Sequence, residues 1–314
     1  MLINDAGEII AEGWHRGAGT AHAEVDALAK IQNLRDANGK LPAGLTAVVT
    51  LEPCNHTGRT GPCSQALIDA GISRVVFAAD DPGRESANGA AHLRAEGIQV
   101  ESGMLAAESE ELNRVWFTAM RNQRPFVTLK WATSIDGRAA AADGTSKWIS
   151  GPESRAESHL RRSNVDAILV GTGTVLADDP ELTARKPDGS LYEHQPLRVV
   201  VGERELRGDL RVFNADAETA IFKTHSLTEV LDDLFKRGVR HVWVEGGPSV
   251  ASKFVAENLV DEYIVYLAPM LIGGPRAALA DIGVGNISEA KHLRVLESKH
   301  LGQDIFIRAT TKEA

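Results

Sequence analysis

The chain of 314 residues suits two domains of ordinary size, and its 43% hydrophobic and 25% charged residues are typical of a globular protein. Its formal net charge of −9 argues against general binding to nucleic acid or to a membrane surface, which usually requires a basic face. The sequence contains neither an apolar run long enough to span a membrane nor the features of a signal peptide, so we expect a cytoplasmic protein.

The first third of the sequence alternates short apolar runs with helical patterns, which is typical of an α/β layer. Strands are predicted at residues 46–51, 74–79 and 98–101. Helices are predicted at residues 21–36, 61–70, 88–96 and 105–121. The polar stretch 121–125 ends in proline and is the predicted domain boundary, so a first domain spans residues 1–122 and a second spans residues 125–314.

A new series of α/β patterns follows this boundary. Strands are predicted at residues 126–132, 167–170, 197–201, 220–222, 241–244 and 263–268. Helices are predicted at residues 152–162, 227–237 and 248–258. Two last strand patterns, at residues 293–297 and 304–308, predict a terminal hairpin or an addition to the sheet.

The pattern of His22, Glu24, Cys54 and Cys63 predicts a catalytic zinc site. Such a site needs three protein ligands and one open position for water, and the histidine and the two cysteines supply the three. Glu24 is then the candidate group for moving protons to and from the water. Because residues two apart on a helix do not share a flank, we expect the metal to lie off the helix N-terminus, where first-turn side chains can converge.

Two alternatives remain open for the same residues. They could be buried core side chains without a metal, or they could hold a structural zinc. A structural site usually closes with a fourth protein ligand, and His56 is the candidate for that position.

The sequence keeps the His-x-Glu and Pro-Cys elements of zinc nucleobase deaminases, but eight residues rather than two separate its cysteines. This wider spacing, in the run EPCNHTGRTGPC at residues 52–63, closely resembles the first domain of the bifunctional deaminase–reductases of riboflavin biosynthesis. The resemblance implies a cytidine-deaminase-like fold for this domain. It implies substrate contacts at His56, Arg59 and Thr60, and a further substrate loop at Asp81 and Pro82.

Three regions of the second domain, at residues 130–150, 171–185 and 245–253, resemble the reductase domain of the same family, which has a dihydrofolate-reductase-like fold. The resemblance implies NADPH as cofactor. The glycines alone would not indicate it, because they do not follow the usual dinucleotide-binding spacing. The implied cofactor contacts are Ala132, Trp148, Thr174, Asp178, Gly247, Pro248, Ser249 and Lys253. The implied substrate contacts are Ser146, Arg162, Leu182, Arg185 and Glu245.

Physical chemistry supports parts of this assignment. Gly246 and Gly247 precede a predicted helix, where close backbone approach and the helix N-terminus favour an anionic group. Arg162 and Arg185 are suitable phosphate partners, since guanidinium groups pair well with phosphate oxygens, although solvated surface arginines are the alternative.

The family's substrate is a 2,5-diamino-6-(phosphoribosylamino)pyrimidinone. The resemblance implies zinc-dependent hydrolysis of its 2-amino group, with Glu24 moving the protons. NADPH would then reduce C1 of the open-chain sugar, with Asp178 and Glu245 as open candidates for the proton donor. The family also suggests a homodimer through the reductase domain.

Family members begin with a helix and a complete first strand, whereas this sequence begins inside that strand. The alternative function is therefore a reductase whose first domain is a zinc-stabilised assembly module. A nucleic-acid-editing deaminase is a second alternative, which the acidic balance and the large second domain disfavour. A non-catalytic nucleotide-binding protein is a third.

Overall fold

The structure, a computed structural model, describes residues 1–17, 19–37, 39, 41–57, 61–83 and 86–312. The chain forms two compact units, Met1–Arg121 and Asn122–Ala314, called here the N-terminal and the C-terminal unit. Across the described ranges, no helix combines the length and the apolar character that crossing a membrane requires.

The N-terminal unit has a five-stranded sheet flanked by short helices. The strands are β1 (Leu2–Ile3), β2 (Ile9–Ala11), β3 (Thr46–Leu51), β4 (Arg74–Ala79) and β5 (Gln99–Ser102). The helices are α1 (Ala23–Lys30), α2 (Cys63–Asp69), α3 (Gly89–Ala95), α4 (Ala106–Leu112) and α5 (Arg114–Asn122). The strand order is β2-β1-β3-β4-β5, with β3, β4 and β5 parallel and β1 antiparallel to both of its neighbours.

Apolar side chains of β3 and β4 and of the first three helices form the core of this unit. Leu67, Val75 and Leu93 are each 0% exposed and Phe77 is 2% exposed. Val75 and Phe77 belong to the apolar run that predicted the strand at residues 74–79, and parallel strands covered on both faces need apolar residues on both.

Two predicted helices of this unit are shorter in the structure. The helix predicted at 105–121 is interrupted at Asn113, whose side-chain amide donates to the Ser109 carbonyl at 3.2 Å and so competes with the helical backbone. The helix predicted at 21–36 ends at Lys30, because the Gln32 side chain donates to the Leu28 carbonyl at 2.7 Å. The strand β2 was not predicted, since three residues are too few to show a period of two.

The C-terminal unit has one eight-stranded sheet. Its strands are β6 (Phe126–Ser134), β7 (Ala167–Gly171), β8 (Leu197–Val201), β9 (Thr219–Phe222), β10 (His241–Val244), β11 (Glu262–Ala268), β12 (Leu293–Leu301) and β13 (Asp304–Thr311). The order is β12-β13-β11-β6-β10-β7-β8-β9, and the six strands from β11 to β9 are parallel. The last two strands form the predicted hairpin, and β13 adds to the sheet beside β11.

Four helices accompany this sheet: α6 (Pro152–Arg162), α7 (Thr172–Asp178), α8 (Leu227–Lys236) and α9 (Pro248–Ala256). The Ser226 side chain caps α8 by accepting from the Glu229 N–H, and Pro248 starts α9, where its missing N–H has no cost. Helix α7 was not predicted, because glycine and threonine are weak helix formers. It forms where Val175 packs into the core with 0% exposure.

Parallel strands place their carboxyl ends at one edge of a sheet. In the C-terminal unit, neighbouring strands β10, β7 and β8 therefore bring the segments that follow them, which begin at residues 245, 172 and 202, to the same edge. This edge carries most of the residues that the sequence predicts as cofactor or substrate contacts.

A core substitution should destabilise the C-terminal unit strongly. Phe254 on α9 is 0% exposed within the core, so Phe254→Ala should lower the free energy of unfolding by about 3–5 kcal/mol. Leu271 is 78% exposed, so Leu271→Ala should change it by less than about 0.5 kcal/mol. Urea denaturation measures the free energy of unfolding of both variants, with the fluorescence of tryptophans such as the buried Trp243 as the signal. Similar losses of stability in the two variants would contradict the described core.

Two candidate active sites

In the N-terminal unit, His22, Cys54 and Cys63 bring one nitrogen and two sulfur atoms together within 4.8 Å. The Nδ1 atom of His22 lies 3.5 Å from the Cys54 Sγ and 3.2 Å from the Cys63 Sγ. Among the described residues this is the one group of three or more such side chains close enough to hold a metal, and it does not include His56. Three donors with one open position are typical of catalytic rather than structural zinc sites.

Each donor comes from the end of a secondary-structure element. His22 occupies the position just before the first residue of α1, Cys54 lies in the loop after β3, and Cys63 is the first residue of α2. Because His22 precedes the first turn of α1 and Glu24 lies within it, both residues belong to the helix start, where the sequence predicts that they converge.

The two cysteines shift each other's pKa in opposite directions. A hydrogen bond with the Cys63 side chain, opposed by burial and aided by the His22 imidazole, lowers the pKa of the Cys54 thiol. The same contact, together with burial, raises the pKa of the Cys63 thiol. Zinc binds cysteine as the thiolate, so metal binding releases the proton that the Cys63 thiol holds. The chemistry of this donor set therefore fits zinc.

Glu24 lies beside this cluster. Burial raises the pKa of its carboxyl group above the ordinary value and the charge of Cys54 adds to that shift, while hydrogen bonding to the backbone, the charge of His22 and contact with Cys63 oppose it. A raised pKa moves a carboxyl group towards the range in which it can act as a proton carrier, accepting a proton in one step and donating it in the next.

Two of the other predicted contacts of this unit, His56 and Asp81, lie among the described residues. His56 is partly buried, and its Nδ1 has no hydrogen-bond partner among the described residues. Asp81 is 8% exposed and accepts a hydrogen bond from the Gly83 N–H at 2.7 Å. The predicted contacts Arg59 and Thr60 lie outside the described residues.

In the C-terminal unit, two glycine-rich turns pack against each other at the carboxyl edge of the sheet. A Cβ atom added at Gly171 would lie 2.8 Å from Val250, and one added at Gly246 would lie 2.6 Å from it. The Thr174 hydroxyl accepts a hydrogen bond from the Gly247 N–H at 3.1 Å. The glycines therefore permit a backbone-lined surface beside the N-terminus of α9, which suits a phosphate group.

Glu245, the first residue after β10, is the centre of a buried ion-pair network. Both of its oxygens accept hydrogen bonds from Arg162, each at 2.7 Å, and Lys130 lies 3.5 Å away. The Trp243 indole N–H donates to the same carboxylate at 2.5 Å. Burial opposes ionisation, but Arg162 and Lys130 hold the pKa of Glu245 well below its usual range, so it is an anion.

Arg162 and Arg185 both form ion pairs with glutamates of the same unit. Arg162 binds Glu245 and its side chain is 13% exposed, so it is not the solvated surface arginine of the alternative interpretation. Arg185 binds Glu181 at 2.5 Å and is 31% exposed, which leaves it more accessible than Arg162. His159 lies between them, and burial and the two cations lower its pKa to about 4.

The remaining predicted contacts occupy varied positions. Leu182 is 4% exposed within the core, so its backbone is the part that a ligand could reach. Trp148 is 67% exposed and packs against the Arg155 guanidinium at 4.7 Å. Ala132, Ser146, Pro248 and Lys253 are partly buried, and Asp178 and Ser249 are exposed.

Sequence reasoning missed Lys130 and His159 as members of this network. Lys130 begins the region 130–150 that resembles the reductase family, but no local signal pairs it with a glutamate 115 residues later. The helical spacing of His159 and Arg162, three residues apart on α6, was a usable signal, since residues at that spacing share one face.

Two family models match the chain. The model of the cytidine and deoxycytidylate deaminase zinc-binding region matches residues 1–79, and the model of the RibD C-terminal domain matches residues 125–307. The curated riboflavin biosynthesis protein RibD of Mycobacterium tuberculosis is 46% identical over 308 residues, which cover 98% of this chain and 88% of that protein. The protein of the same name from Escherichia coli is 36% identical, over 98% of this chain and 91% of that one.

Solved structures resemble the whole chain. RibD of Acinetobacter baumannii has a TM-score of 0.87 at 34% identity and covers 99% of this chain and 91% of its own. A diaminohydroxyphosphoribosylaminopyrimidine deaminase/5-amino-6-(5-phosphoribosylamino)uracil reductase of Thermotoga maritima has a TM-score of 0.84 at 31% identity, over 99% and 90% of the two chains. These similarities confirm the predicted fold class, a cytidine-deaminase-like unit followed by a dihydrofolate-reductase-like unit.

Loss of one cysteine should abolish stable metal binding. Cys63→Ser replaces a soft thiolate ligand by a hydroxyl, so the zinc content of the purified protein should fall from about one ion per chain to a small fraction of that. His92→Gln changes a histidine outside the cluster and should leave the zinc content unchanged. Elemental analysis after dialysis measures both; a Cys63→Ser protein with full zinc content would contradict the described donor set.

Proposed function

Because the chain belongs to the RibD family of riboflavin biosynthesis proteins, we propose that its two units act in succession on one phosphoribosylated pyrimidine. The protein is a bifunctional enzyme, a zinc-binding deaminase in its N-terminal unit and a reductase in its C-terminal unit. The reductase domain uses a nicotinamide cofactor. We assign to this chain the two activities in the printed name of the Thermotoga maritima protein, deamination of the diaminopyrimidine and reduction of the resulting phosphoribosylaminouracil.

We propose that His22, Cys54 and Cys63 hold the zinc, whose role when bound is to make water a competent nucleophile at neutral pH. Glu24 takes one proton from this water and gives it to the ring nitrogen; it then takes the remaining proton of the added hydroxyl and gives it to the amino group, which leaves as ammonia. The convergence of the three donors beside Glu24 is the observation that carries this proposal.

We propose that His56 and Asp81, with Arg59 and Thr60 as the resemblance implies, contact the substrate of this unit. The Nδ1 atom of His56 is buried and has no hydrogen-bond partner among the described residues, so a ligand group that reached it would satisfy it. Asp81 lies in the loop after β4, and β4 is the parallel neighbour of the strand that leads to Cys54.

In the reductase unit, we propose that the glycine turns and the start of α9 bind the phosphates of NADPH. This group of contacts comprises Ala132, Trp148, Thr174, Asp178, Gly247, Pro248, Ser249 and Lys253. Selectivity for NADPH over NADH requires a cation for the additional phosphate. Arg204 follows β8 and is exposed, and one of its guanidinium nitrogens lies 3.6 Å from the position of a Cβ at Gly173.

We propose that Arg185, with Ser146 and Leu182, binds the phosphoribosyl part of the substrate, and that Arg162 holds Glu245 in place. Glu245 is an anion and is therefore a poor proton donor. Lys130 lies 3.5 Å from Glu245 and is the better candidate for that role, ahead of Glu245 and the exposed Asp178.

We further propose a homodimer through the C-terminal unit. The outer strand β12 is nine residues long, and the side chain of Val295 on it is 59% exposed. Long edge strands with exposed apolar side chains are suited to pairing with another chain. Sedimentation equilibrium measures the mass; a monomer at micromolar concentration would contradict this proposal.

Substitution of Glu24 should separate the two half-reactions. Glu24→Gln keeps the size of the side chain but cannot accept the proton, so ammonia release should fall by a factor of at least about 10². NADPH oxidation with the deaminated intermediate should be unchanged, and Glu108→Gln, an exposed change in the same unit, should affect neither rate. Simultaneous loss of both activities in Glu24→Gln would contradict the proposed division between the units.

Substitution of Arg204 should weaken the use of NADPH selectively. Arg204→Gln removes the cation, so the KM for NADPH should rise about tenfold or more while the KM for NADH stays nearly constant. Arg207→Gln removes a neighbouring exposed arginine, already paired with Asp209 at 3.3 Å, and serves as the matched control. Equal changes in both KM values would argue against Arg204 as the phosphate partner.

A further inference from the structure

The loop that carries Cys54 is held by a buried carboxylate to which the proposed reaction gives no role. Glu52 is the first residue after β3 and is 8% exposed. Its Oε1 accepts a hydrogen bond from the Ala90 N–H at 2.9 Å, and its Oε2 accepts one from the Asp81 N–H at 3.2 Å. One side chain thus connects the metal-ligand loop with α3 and with the loop after β4.

Helix α3 also touches this loop through its backbone. A Cβ added at Gly89, the first residue of α3, would lie 1.7 Å from the Pro53 carbonyl oxygen, so a side chain there would displace the peptide that precedes Cys54. The Glu52 carboxylate binds the next residue of the same helix turn, Ala90. The hydrogen bond and the close contact therefore fix the same segment against α3.

The far side of the loop is held as well. The Asn55 N–H donates to the Ser86 carbonyl at 2.9 Å, and the Ser64 hydroxyl donates to the Asn55 side chain at 2.9 Å. Ser64 follows Cys63 on α2, so this contact joins the two segments that carry the cysteine ligands. Residues 52–55 are thus bound on one side to α3 and Asp81 and on the other to α2 and Ser86.

We propose that Glu52 is a positioning residue that couples the geometry of the metal ligand Cys54 to the placement of Asp81. Both partners of Glu52 are N–H donors, so the position requires two acceptor oxygens, which a carboxylate has and a carboxamide lacks. This inference rests on the deaminase function proposed above. Groups that support metal ligands from outside typically change metal affinity by 10–100-fold when they are substituted.

The test uses Glu52→Gln in the full-length enzyme. The carboxamide nitrogen would face one of the two backbone N–H groups, which should loosen the loop without emptying the space. Zinc transfer to a chelator should become about tenfold faster or more, and the visible spectrum of the cobalt-substituted enzyme should change. The KM for the pyrimidine should rise because the Asp81 loop loses an anchor, while NADPH oxidation on the deaminated intermediate stays unchanged.

Ser109→Ala is the matched control. Ser109 on α4 is 5% exposed and donates to the Thr50 carbonyl on β3, so its removal also costs a buried hydrogen bond next to the same strand. It contacts none of residues 52–55 through that bond. If folded Glu52→Gln lost only stability, as Ser109→Ala should, and kept wild-type zinc release, cobalt spectrum and KM, the proposal would be wrong.

A measurement on the wild-type chain tests the coupling even where the variant fails to fold. Zinc removal should accelerate hydrogen exchange at the Asp81 and Ala90 amides more than at the Gln99 amide, which is bonded to the Ser73 carbonyl at 3.1 Å away from the loop. Equal acceleration at all three amides would overturn the proposal. A wild-type chain that releases no ammonia would contradict the proposed function instead, and the zinc-release and exchange results would still decide the role of Glu52.

Discussion

Parallel pairing of neighbouring strands is the constraint on which both sites depend. Because such strands end at the same edge of a sheet, residues far apart in sequence are brought together where the chain leaves the strands. In the N-terminal unit this places the Cys54 loop after β3 next to the Asp81 loop after β4. In the C-terminal unit it places the turn after β10 next to the turn after β7.

The two units use this edge in a similar way. The first residue after β3 is Glu52 and the first residue after β10 is Glu245, and each points its carboxylate at neighbouring elements. Glu52 binds two backbone N–H groups, whereas Glu245 binds the side chains of Arg162 and Lys130. Breaking a buried pair such as that of Glu245 with Arg162 leaves an uncompensated charge and typically costs about 3–5 kcal/mol. Buried carboxylates of this kind hold the site in one arrangement, and substitution of either partner is therefore costly.

The two sites differ in the protein groups that would bind the ligand: side chains at the zinc site and backbone groups at the cofactor site. A zinc site is specified by three donor atoms, so the protein must hold three side chains and one proton-transfer group in place. A nicotinamide cofactor is large, and the site proposed for its phosphates consists mainly of backbone groups, at glycines that pack against Val250. This difference explains why the first site is readable from a few residues and the second is not.

The sequence by itself determined the elements that a strong local pattern specifies. The apolar runs of β3, β4 and β7 predicted buried strands, and the spacing of His22, Glu24, Cys54 and Cys63 predicted a zinc site, since metal chemistry accepts few residue types. Local pattern failed where an element is very short, as in β2, or where a side chain competes with the backbone, as at Asn113. Only the tertiary structure decided which side chains meet across the sheet edge.

Three contacts illustrate that limit: Lys130 with Glu245, Glu52 with Asp81, and Arg204 beside Gly173. Each joins segments whose proximity follows from strand order, which is a property of the whole sheet. Strand order depends on the summed packing of many residues, and no short stretch of sequence contains it.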